Sequence, residues 1–162
     1  MIETERLLLV PFKLDYITAA IKGNYFLVKT LGFTIDDNWP NPDYKEIFPF
    51  LEEDFINDPS LASWSRLVIN KQDNRLIGDI GCKGRPDSKG VAEIGYSIVP
   101  TYRNQGIATE AVKALVTWLE NAAEVKQVTA ECLVENVASA NVLKKAGFSK
   151  THSTQEMIYW KR

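Results

Sequence analysis

Hydrophobic residues along this chain form two kinds of pattern, continuous runs and helical stripes. Residues 91–99 are an apolar-rich run that stops at Pro100, and because proline cannot continue a β-ladder the run predicts a strand. Residues 127–133 predict another strand. A first helix is indicated between these strands by apolar residues with helical spacing at Ala108, Val112, Leu115, Val116 and Leu119. A second helix is predicted after the 127–133 strand, between Asn136, its N-cap, and Gly147, its C-terminal stop.

The rest of the chain fits around these two strand–helix units. No linker or repeat divides the sequence, so residues 1–162 are expected to form one domain. The order of elements predicts a mixed α/β (α+β) fold around one central sheet. The remaining predicted elements are strands over 7–10, 64–70, 75–83 and 153–160 and helices over 15–22 and 49–56.

The segment between the 91–99 strand and the next helix has the features of an anion site. A strand, a tight loop and a helix start direct several unpaired backbone N–H groups and the positive end of the helix dipole to one place, which favours phosphate. Gly106 lets the backbone approach a ligand without a Cβ in the way, and Ala108 is nearly as small. The residues assigned to this loop are Arg103, Asn104, Gln105, Gly106, Ile107, Ala108 and Thr109.

Two motifs give the chain a family resemblance. The loop Arg103-x-x-Gly106-x-Ala108 resembles the Arg/Gln-x-x-Gly-x-Gly/Ala pyrophosphate signature of the GNAT N-acetyltransferase superfamily. The segment 136–148, which begins with Asn and ends with Gly-Phe, resembles the second cofactor-contacting segment of that superfamily. The resemblance implies an enzyme that transfers acetyl from acetyl-CoA to an amine by direct attack in a ternary complex.

Further residues resemble one branch of the superfamily. The opening residues 3–9 and Ser139 look like the RimJ/RimL branch, a group similar to protein N-terminal acetyltransferases. The superfamily resemblance also implies a sheet flanked by helices. In that sheet the strands at 91–99 and 127–133 would run parallel but splayed, with acetyl-CoA in the gap.

The resemblance implies the remaining contacts with acetyl-CoA. Strand residues 98–99 would follow the pantetheine through amide contacts, and an amide near Ser97 or Ile98 is the expected donor to the oxyanion. For Lys145, expected near the CoA phosphates, a solvated helix face is the alternative. The cofactor-binding residues implied outside the loop are Ile98, Val99, Asn136, Ser139, Asn141 and Lys145.

Two residues are candidates for the chemistry itself. An acceptor ammonium must lose a proton, and an unpaired Glu93 on the strand that meets the cofactor would have a raised pKa suited to a base. The alternative for Glu93 is a solvent-facing or salt-bridged side chain. Ser139 is the candidate partner of the departing CoA sulfur, or else it satisfies local backbone groups. Many superfamily members have a tyrosine acid where this chain has Leu143, so that role is either vacant or filled by another group.

Composition narrows the classes of partner. The 162-residue chain has a net charge of −2 and a pI near 5.5, which argues against nucleic-acid and anionic-membrane binding. Cys82 and Cys132 lie in predicted strands and are expected to be reduced and buried, His152 is expected at the surface, and no metal-ligand spacing is present. The N-terminus has neither the basic nor the apolar part of a secretory signal, so a cytoplasmic protein without a membrane anchor is expected.

Acidic and basic residues are distributed unevenly along the chain, which bears on the charge of the acceptor. Residues 24–60 contain eight acids and two bases, a net −6, while the remainder carries +4. An acidic rim would favour cationic or N-terminal amine acceptors, although a solvated helix face is the alternative. Trp39 and Tyr44 are candidates for apolar or cation–π contact with the acceptor. Trp and Tyr on the terminal strands are expected to be exposed, which suggests a homodimer.

Two other functions compete with acetyl transfer. A non-catalytic acyl-CoA-binding or sensor module would have the same loop, and Leu143 favours it by leaving one catalytic role open. A nucleotide-binding domain is suggested by Gly78-x-x-Gly81-x-x-Gly84. That motif lies inside a strand pattern and lacks the following Lys-Ser/Thr, which excludes it.

Overall fold

The computed structural model describes residues 1–162. Its strands are β1 (Ile2–Glu3), β2 (Leu7–Pro11), β3 (Thr34–Ile35), β4 (Ser65–Asn70), β5 (Arg75–Cys82), β6 (Val91–Ile98), β7 (Gln127–Leu133), β8 (Ser149–Ser153) and β9 (Met157–Lys161). Its helices are α1 (Leu14–Lys22), α2 (Asn24–Leu31), α3 (Pro42–Glu46), α4 (Phe48–Asn57), α5 (Ile107–Glu120) and α6 (Val137–Lys145). Short 3₁₀ segments occur at Pro59–Trp64 and Pro100–Tyr102.

All strands join one sheet, in the order β1-β2-β4-β5-β6-β7-β9-β8 with β3 beside β5. The strands β6 and β7 are parallel and pair only over residues 91–94 and 127–130. Beyond these pairs β6 continues to Ile98 and β7 to Leu133 without contact between their ladders. The mixed sheet with a parallel, splayed strand pair is therefore confirmed.

One face of the sheet lies under α5. Residues directly opposite each other in register share a face, and Arg66, Ile80 and Tyr96 form such a row across β4, β5 and β6. The Arg66 guanidinium lies 4.3 Å from the ring centroid of Trp118 in α5. The Tyr96 hydroxyl reaches α6 from the same face. Both helices that follow the splayed strands thus cover this side.

The other face is covered by the N-terminal helices and an aromatic cluster. The row on this side contains Leu67, Asp79 and Ser97. Trp39 donates from its indole N–H to Asp79, and its ring packs on Phe48 with centroids 6.0 Å apart. The two sides of β6 therefore face different surroundings, which positions separate groups around the strand gap.

The caps of α6 and α2 follow from their residue types. Asn136 Oδ1 accepts a hydrogen bond from Ser139 N at 3.0 Å, and Gly147 follows the helix with a φ of 86°, so the predicted N-cap and stop are confirmed. Helix α2 ends at Gly32, whose φ is 81°. The sequence pattern does not predict α2, α3, β1 or β3, which are short and lie mostly where glycines and prolines interrupt the periodicity.

The C-terminus differs from the single predicted strand over 153–160. The chain turns at Thr154, whose Oγ1 accepts from Met157 N at 3.0 Å, and this turn makes β8 and β9 a hairpin. Every residue of β8 is exposed, so no alternation indicates the strand. His152 lies in β8 and is exposed, as predicted. Trp160 is only 3% exposed, so the argument for a homodimer from an exposed tryptophan is wrong.

Candidate active site

The separation of β6 from β7 leaves backbone groups of β6 without a strand partner. Val99 N–H donates to Ile77 O at 2.9 Å, so the odd-numbered residues of this segment direct their amides to β5. In an antiparallel pair the alternate residues point their N–H and C=O groups the opposite way. Past Ile94, where pairing with β7 ends, these residues are Tyr96 and Ile98. Their amides therefore face the gap.

The loop before α5 adds a row of free donors. The backbone N–H groups of residues 104–109 have no acceptor within the chain. Asn104 and Gly106 have φ angles of 59° and 76°, and these left-handed conformations curve the loop around one point. Helix α5 starts at the next residue, Ile107, so its positive dipole end coincides with the free N–H groups. The loop therefore has the geometry of a phosphate site.

A cavity of about 600 Å³ lies between β6, this loop and α6. Cys82 and Cys132, free and buried as predicted, do not line it. Most of the cofactor-binding residues predicted from sequence do line it, namely Ile98, Arg103, Asn104, Gly106, Ile107, Ala108, Thr109, Asn136, Ser139, Asn141 and Lys145. The lining also includes Tyr96, Ser97, Tyr102, Ala138 and Val142.

Two predicted cofactor contacts do not line the cavity. Val99 is 4% exposed and its N–H pairs with β5, so it packs in the core. The side chain of Gln105 folds back and donates to the backbone carbonyl of Thr101, and the backbone carbonyl of Gln105 accepts from Arg6 Nη1 at 2.9 Å. Only the backbone N–H of Gln105 therefore belongs to the row of free donors. Ser97 does line the cavity, but alternation turns its amide to β5. Of the two predicted oxyanion donors, the Ile98 amide is the one that faces the gap.

The charged side chains around the cavity are positive. Arg103 and Lys145 line it, and no aspartate or glutamate does. Arg103 Nε donates to Ile98 O at 2.8 Å, which fixes the guanidinium beside the gap. Its terminal nitrogens make no hydrogen bond within the chain and can donate to a ligand. The site thus suits a polyphosphate, which carries several negative charges.

Residues near the N-terminus hold the loop from behind. Glu110 Oε2 accepts from Arg6 Nε at 2.7 Å, and Oε1 accepts from Arg6 N at 3.0 Å and Thr4 Oγ1 at 2.6 Å. Burial raises the pKa of Glu110, but the hydrogen bonds from Thr4 and Arg6 outweigh burial and hold the pKa below its ordinary value. Glu110 and Arg6 are 104 residues apart in sequence, so periodicity gave no sign of this contact.

A tyrosine–serine pair lies on the α5 side of the gap. The Tyr96 hydroxyl and Ser139 Oγ are 2.8 Å apart, and both residues line the cavity. Burial raises the pKa of Tyr96 to about 12, although the bond to Ser139 lowers it, so the hydroxyl keeps its proton at neutral pH. Leu143 is fully buried and takes no part. The sequence missed Tyr96 because only the fold brings it to Ser139.

Glu93 does not have the environment that the sequence suggested. Its Oε1 is 2.5 Å from Lys83 Nζ, which also contacts Glu131 Oε1 at 2.7 Å, so the expected unpaired carboxylate is wrong and the salt-bridged alternative holds. Burial lowers the pKa of Lys83, but the hydrogen bonds and charges of Glu131 and Glu93 outweigh it and keep the pKa raised. Glu93 also lies on the part of β6 that still pairs with β7, and it does not line the cavity.

Trp39 and Tyr44, the two residues predicted to contact the acceptor, differ in how far they are buried. Trp39 is 2% exposed inside the aromatic cluster, so its ring is not available to an acceptor. Tyr44 is half-buried in the middle of α3. Asn41, the N-cap of α3, donates from Nδ2 to Ser97 Oγ at 3.3 Å, which places α3 beside the cavity. The exposed acids of residues 24–60 are Asp37, Asp43, Glu46, Glu53 and Asp54.

A metal centre and a membrane span each require a particular arrangement of residues. No group of three or more histidine, cysteine, aspartate or glutamate side chains is arranged to hold a metal ion. None of the helices combines the length and the apolar character needed to cross a membrane.

Comparison with known proteins agrees with this geometry. A family model described as the acetyltransferase (GNAT) domain matches residues 6–149. The chain is 31% identical over 161 residues to the uncharacterized N-acetyltransferase YjdG of Bacillus subtilis (strain 168), covering 99% of this chain and 96% of that protein.

Solved structures share the fold. The GNAT-family acetyltransferase from Bacillus anthracis matches with a TM-score of 0.70 at 20% identity, covering 99% of this chain and 96% of that one. RimL, the ribosomal L7/L12 alpha-N-protein acetyltransferase, in complex with coenzyme A, also matches with a TM-score of 0.70, at 17% identity over 98% of this chain and 94% of that one. Since the family match spans the splayed strands, the free N–H row and every residue that lines the cavity, the chain belongs to the GNAT family and is an N-acetyltransferase.

Proposed function

We propose that this enzyme transfers the acetyl group of acetyl-CoA to a primary amine by direct attack in a ternary complex. The observation that carries the proposal is the continuity of the open β6 edge with the free N–H groups of residues 104–109. A linear ligand with an amide-bearing arm and a pyrophosphate matches both features at once. The GNAT-fold RimL structure in complex with coenzyme A supports the same donor.

The donor would lie along the cavity in a fixed direction. The pyrophosphate would accept from the loop N–H groups and from Arg103, and Lys145 at the end of α6 would neutralise an outer phosphate. The pantetheine would pair with the amides of Tyr96 and Ile98, in place of the β7 strand that has turned away. The thioester would then reach the Tyr96–Ser139 pair.

Three groups, two on β6 and one on α6, serve the acetyl transfer in this proposal. As the amine attacks, negative charge develops on the thioester oxygen, and the gap-facing N–H of Ile98 would stabilise it. The C–S bond then breaks and the sulfur needs a proton. Ser139 Oγ would give that proton and recover one from the Tyr96 hydroxyl, which takes over the role left open by Leu143.

Glu93, the base that the sequence suggests, is ion-paired and lies outside the cavity. A proton from the acceptor would have to pass Lys83 to reach the Glu93 carboxylate, since the two side chains are ion-paired. The Glu93→Gln variant separates the two roles. A base requires a fall in kcat of ~10²-fold with unchanged acetyl-CoA binding, whereas a salt-bridge partner changes stability and leaves kcat close to that of the wild type.

The acceptor is proposed to be a cationic amine or a protein N-terminus, as in the RimJ/RimL branch. The exposed acids of α3 support this because Asn41 anchors that helix to Ser97 at the cavity. The matched RimL structure is of an alpha-N-protein acetyltransferase, which points the same way. Attraction between exposed charges is screened by salt, so kcat/KM for a cationic acceptor should fall as ionic strength rises.

An acceptor panel with free-thiol detection tests the proposal. Basic peptides and polyamines should release CoA thiol faster than acidic peptides of the same length, and the difference should shrink in high salt. Acetyl-CoA binding without thiol release from any amine would instead support the non-catalytic acyl-CoA-binding module. Equal, salt-insensitive rates on acidic and basic acceptors would contradict the acceptor assignment alone.

A further inference from the structure

Asp79, in the middle of β5, is a buried acid with no role in the binding of acetyl-CoA or the protonation of sulfur proposed for this enzyme. It is 7% exposed and lies opposite Ser97 of β6 in register, so the two side chains share the sheet face that α5 does not cover. Ser97 itself lines the acetyl-CoA cavity. Asp79 is therefore one strand away from the gap, on the side opposite the Tyr96–Ser139 pair.

The surroundings of Asp79 leave one of its oxygens free. The groups that face it are Leu67 of β4, Ser97 of β6, Trp39 from the segment before α3, and Tyr44 of α3. Trp39 Nε1 donates to Oδ2 at 2.9 Å, whereas Oδ1 accepts no hydrogen bond within the chain. No lysine, arginine or histidine is paired with the carboxyl. A cationic group would complete the site.

Packing alone does not explain an acid at this position. A buried charge without a partner is unfavourable, and burial raises the pKa of Asp79 to about 7 although the Trp39 hydrogen bond lowers it. An asparagine would accept the same indole hydrogen bond without any cost of ionisation. Near neutral pH the Asp79 carboxyl exchanges readily between its two protonation states, which suits proton transfer.

The position of Asp79 links it to the acceptor side of the cavity. Asn41 Oδ1 caps α3 by accepting from Tyr44 N at 2.8 Å, and its Nδ2 donates to Ser97 Oγ at 3.3 Å. The acidic helix α3 and the buried carboxyl thus meet at Ser97, next to the amides that would hold the thioester. The exposed acids of α3 would attract a cationic amine, and Asp79, which does not itself line the cavity, is the buried acid opposite the cavity residue Ser97.

Resting on the proposed acetyl transfer, we propose that Asp79 binds the ammonium group of the acceptor and takes its proton. One N–H bond of the ammonium breaks, its proton passes to Asp79 Oδ1, and the lone pair left on nitrogen attacks the thioester carbon. The C–S bond breaks and sulfur leaves with its electron pair. A second N–H bond of the tetrahedral intermediate breaks and its proton passes to water, while the Tyr96–Ser139 pair gives one proton to sulfur and recovers one from water. Asp79 returns its own proton to solvent, so the reaction releases one proton overall.

The variant Asp79→Asn tests this assignment because asparagine keeps the shape and the acceptor for Trp39. With an amine acceptor that the wild-type enzyme acetylates, kcat/KM should fall by ~10²-fold or more in the variant. The acidic limb of the pH–rate profile, near pH 7, should disappear. Acetyl-CoA affinity by calorimetry should stay at the wild-type value, which also shows that the variant is folded. Asp36→Asn is the matched control, since Asp36 is similarly buried but ion-paired with Arg75, whereas Asp79 lies opposite the cavity residue Ser97.

A second variant gives a readout that a structural role would not move. Trp39→Phe removes the one hydrogen bond that lowers the pKa of Asp79, so the pH–rate limb should shift to higher pH. A wild-type profile for Asp79→Asn, or a large loss confined to Glu93→Gln, would overturn the proposal while acetyl transfer stands. Absence of thiol release by the wild-type enzyme with every amine would instead refute the proposed function.

Discussion

Replacing Gly106 with valine tests whether the loop before α5 holds a pyrophosphate. Gly106 has a φ of 76°, where a residue with a Cβ costs roughly 1–2 kcal/mol. A Cβ built on this backbone lies 3.5 Å from Arg6 Nη2, an ordinary contact, so the cost is conformational rather than steric. In a domain of this size each kcal/mol lowers the Tm by ~2–4 °C, so the variant should remain folded.

The effect on acetyl-CoA should exceed the effect on stability. If the backbone relaxes toward negative φ, the free N–H groups of residues 104–109 no longer converge on one point. If it does not relax, the branched side chain stands where the ligand approaches. In either case we expect calorimetry to give at least ~tenfold weaker binding, equivalent to ~1.4 kcal/mol.

Gly32→Val provides the matched control. Gly32 has a φ of 81° at the end of α2, and an added Cβ would have no atom within 4 Å. The two variants therefore impose similar backbone strain, one beside the cavity and one outside it. The reasoning is refuted if both variants bind acetyl-CoA as the wild type does, or if both lose the same affinity.

Two further predictions concern residues around the loop and the gap. Ser139→Ala and Tyr96→Phe should each lower kcat by ~10-fold, and the double variant should be no slower than the worse single variant, because both act in one proton relay; additive losses would argue for separate roles. Glu110→Gln should raise the KM for acetyl-CoA and lower stability at pH 7 by about 1 kcal/mol. Because the folded-state pKa of Glu110 is depressed, the stability that its carboxylate contributes is present above the unfolded-state pKa and is lost as the pH falls. The thermal midpoints of the wild type and Glu110→Gln should therefore converge in acid. A constant difference between the two midpoints at all pH values would exclude the ion pair as its cause.

Local patterns predicted the elements around the cofactor cavity well. The stripe of α5, the run of β7 and the cap at Asn136 each depend on residues within one element, so periodicity and capping rules apply to them directly. The polar strand β8 has no buried side and thus no alternation to detect. Its pairing with β9 depends on a turn and on neighbours, which single-sequence rules weigh poorly.

Side-chain pairings across the fold were beyond the reach of sequence patterns. A glutamate on a strand looks the same whether or not a lysine faces it, so the ion pair of Glu93 with Lys83 could not be distinguished from a free base. Trp39 was expected near the acceptor because a tryptophan in a polar, proline-rich segment gives no sign of burial. Asp79 lies between apolar residues of a strand, and an acid in such a pattern indicates a buried charged group, although the pattern does not show which residues face it.

The short pairing of β6 with β7 also bears on how stability is distributed through the molecule. Four residue pairs join β7, β9 and β8 to the rest of the sheet, so this C-terminal part can open locally at less cost than global unfolding. A donor bound along the β6 edge and against α6 would tie the two parts together, adding ~2.7 kcal/mol at a hundredfold excess over its Kd. Amide hydrogen exchange in β7 and β9 should therefore slow when acetyl-CoA binds. We therefore expect the donor substrate to act as a missing strand of the sheet, and its departure as free CoA to loosen the part of the chain that held it.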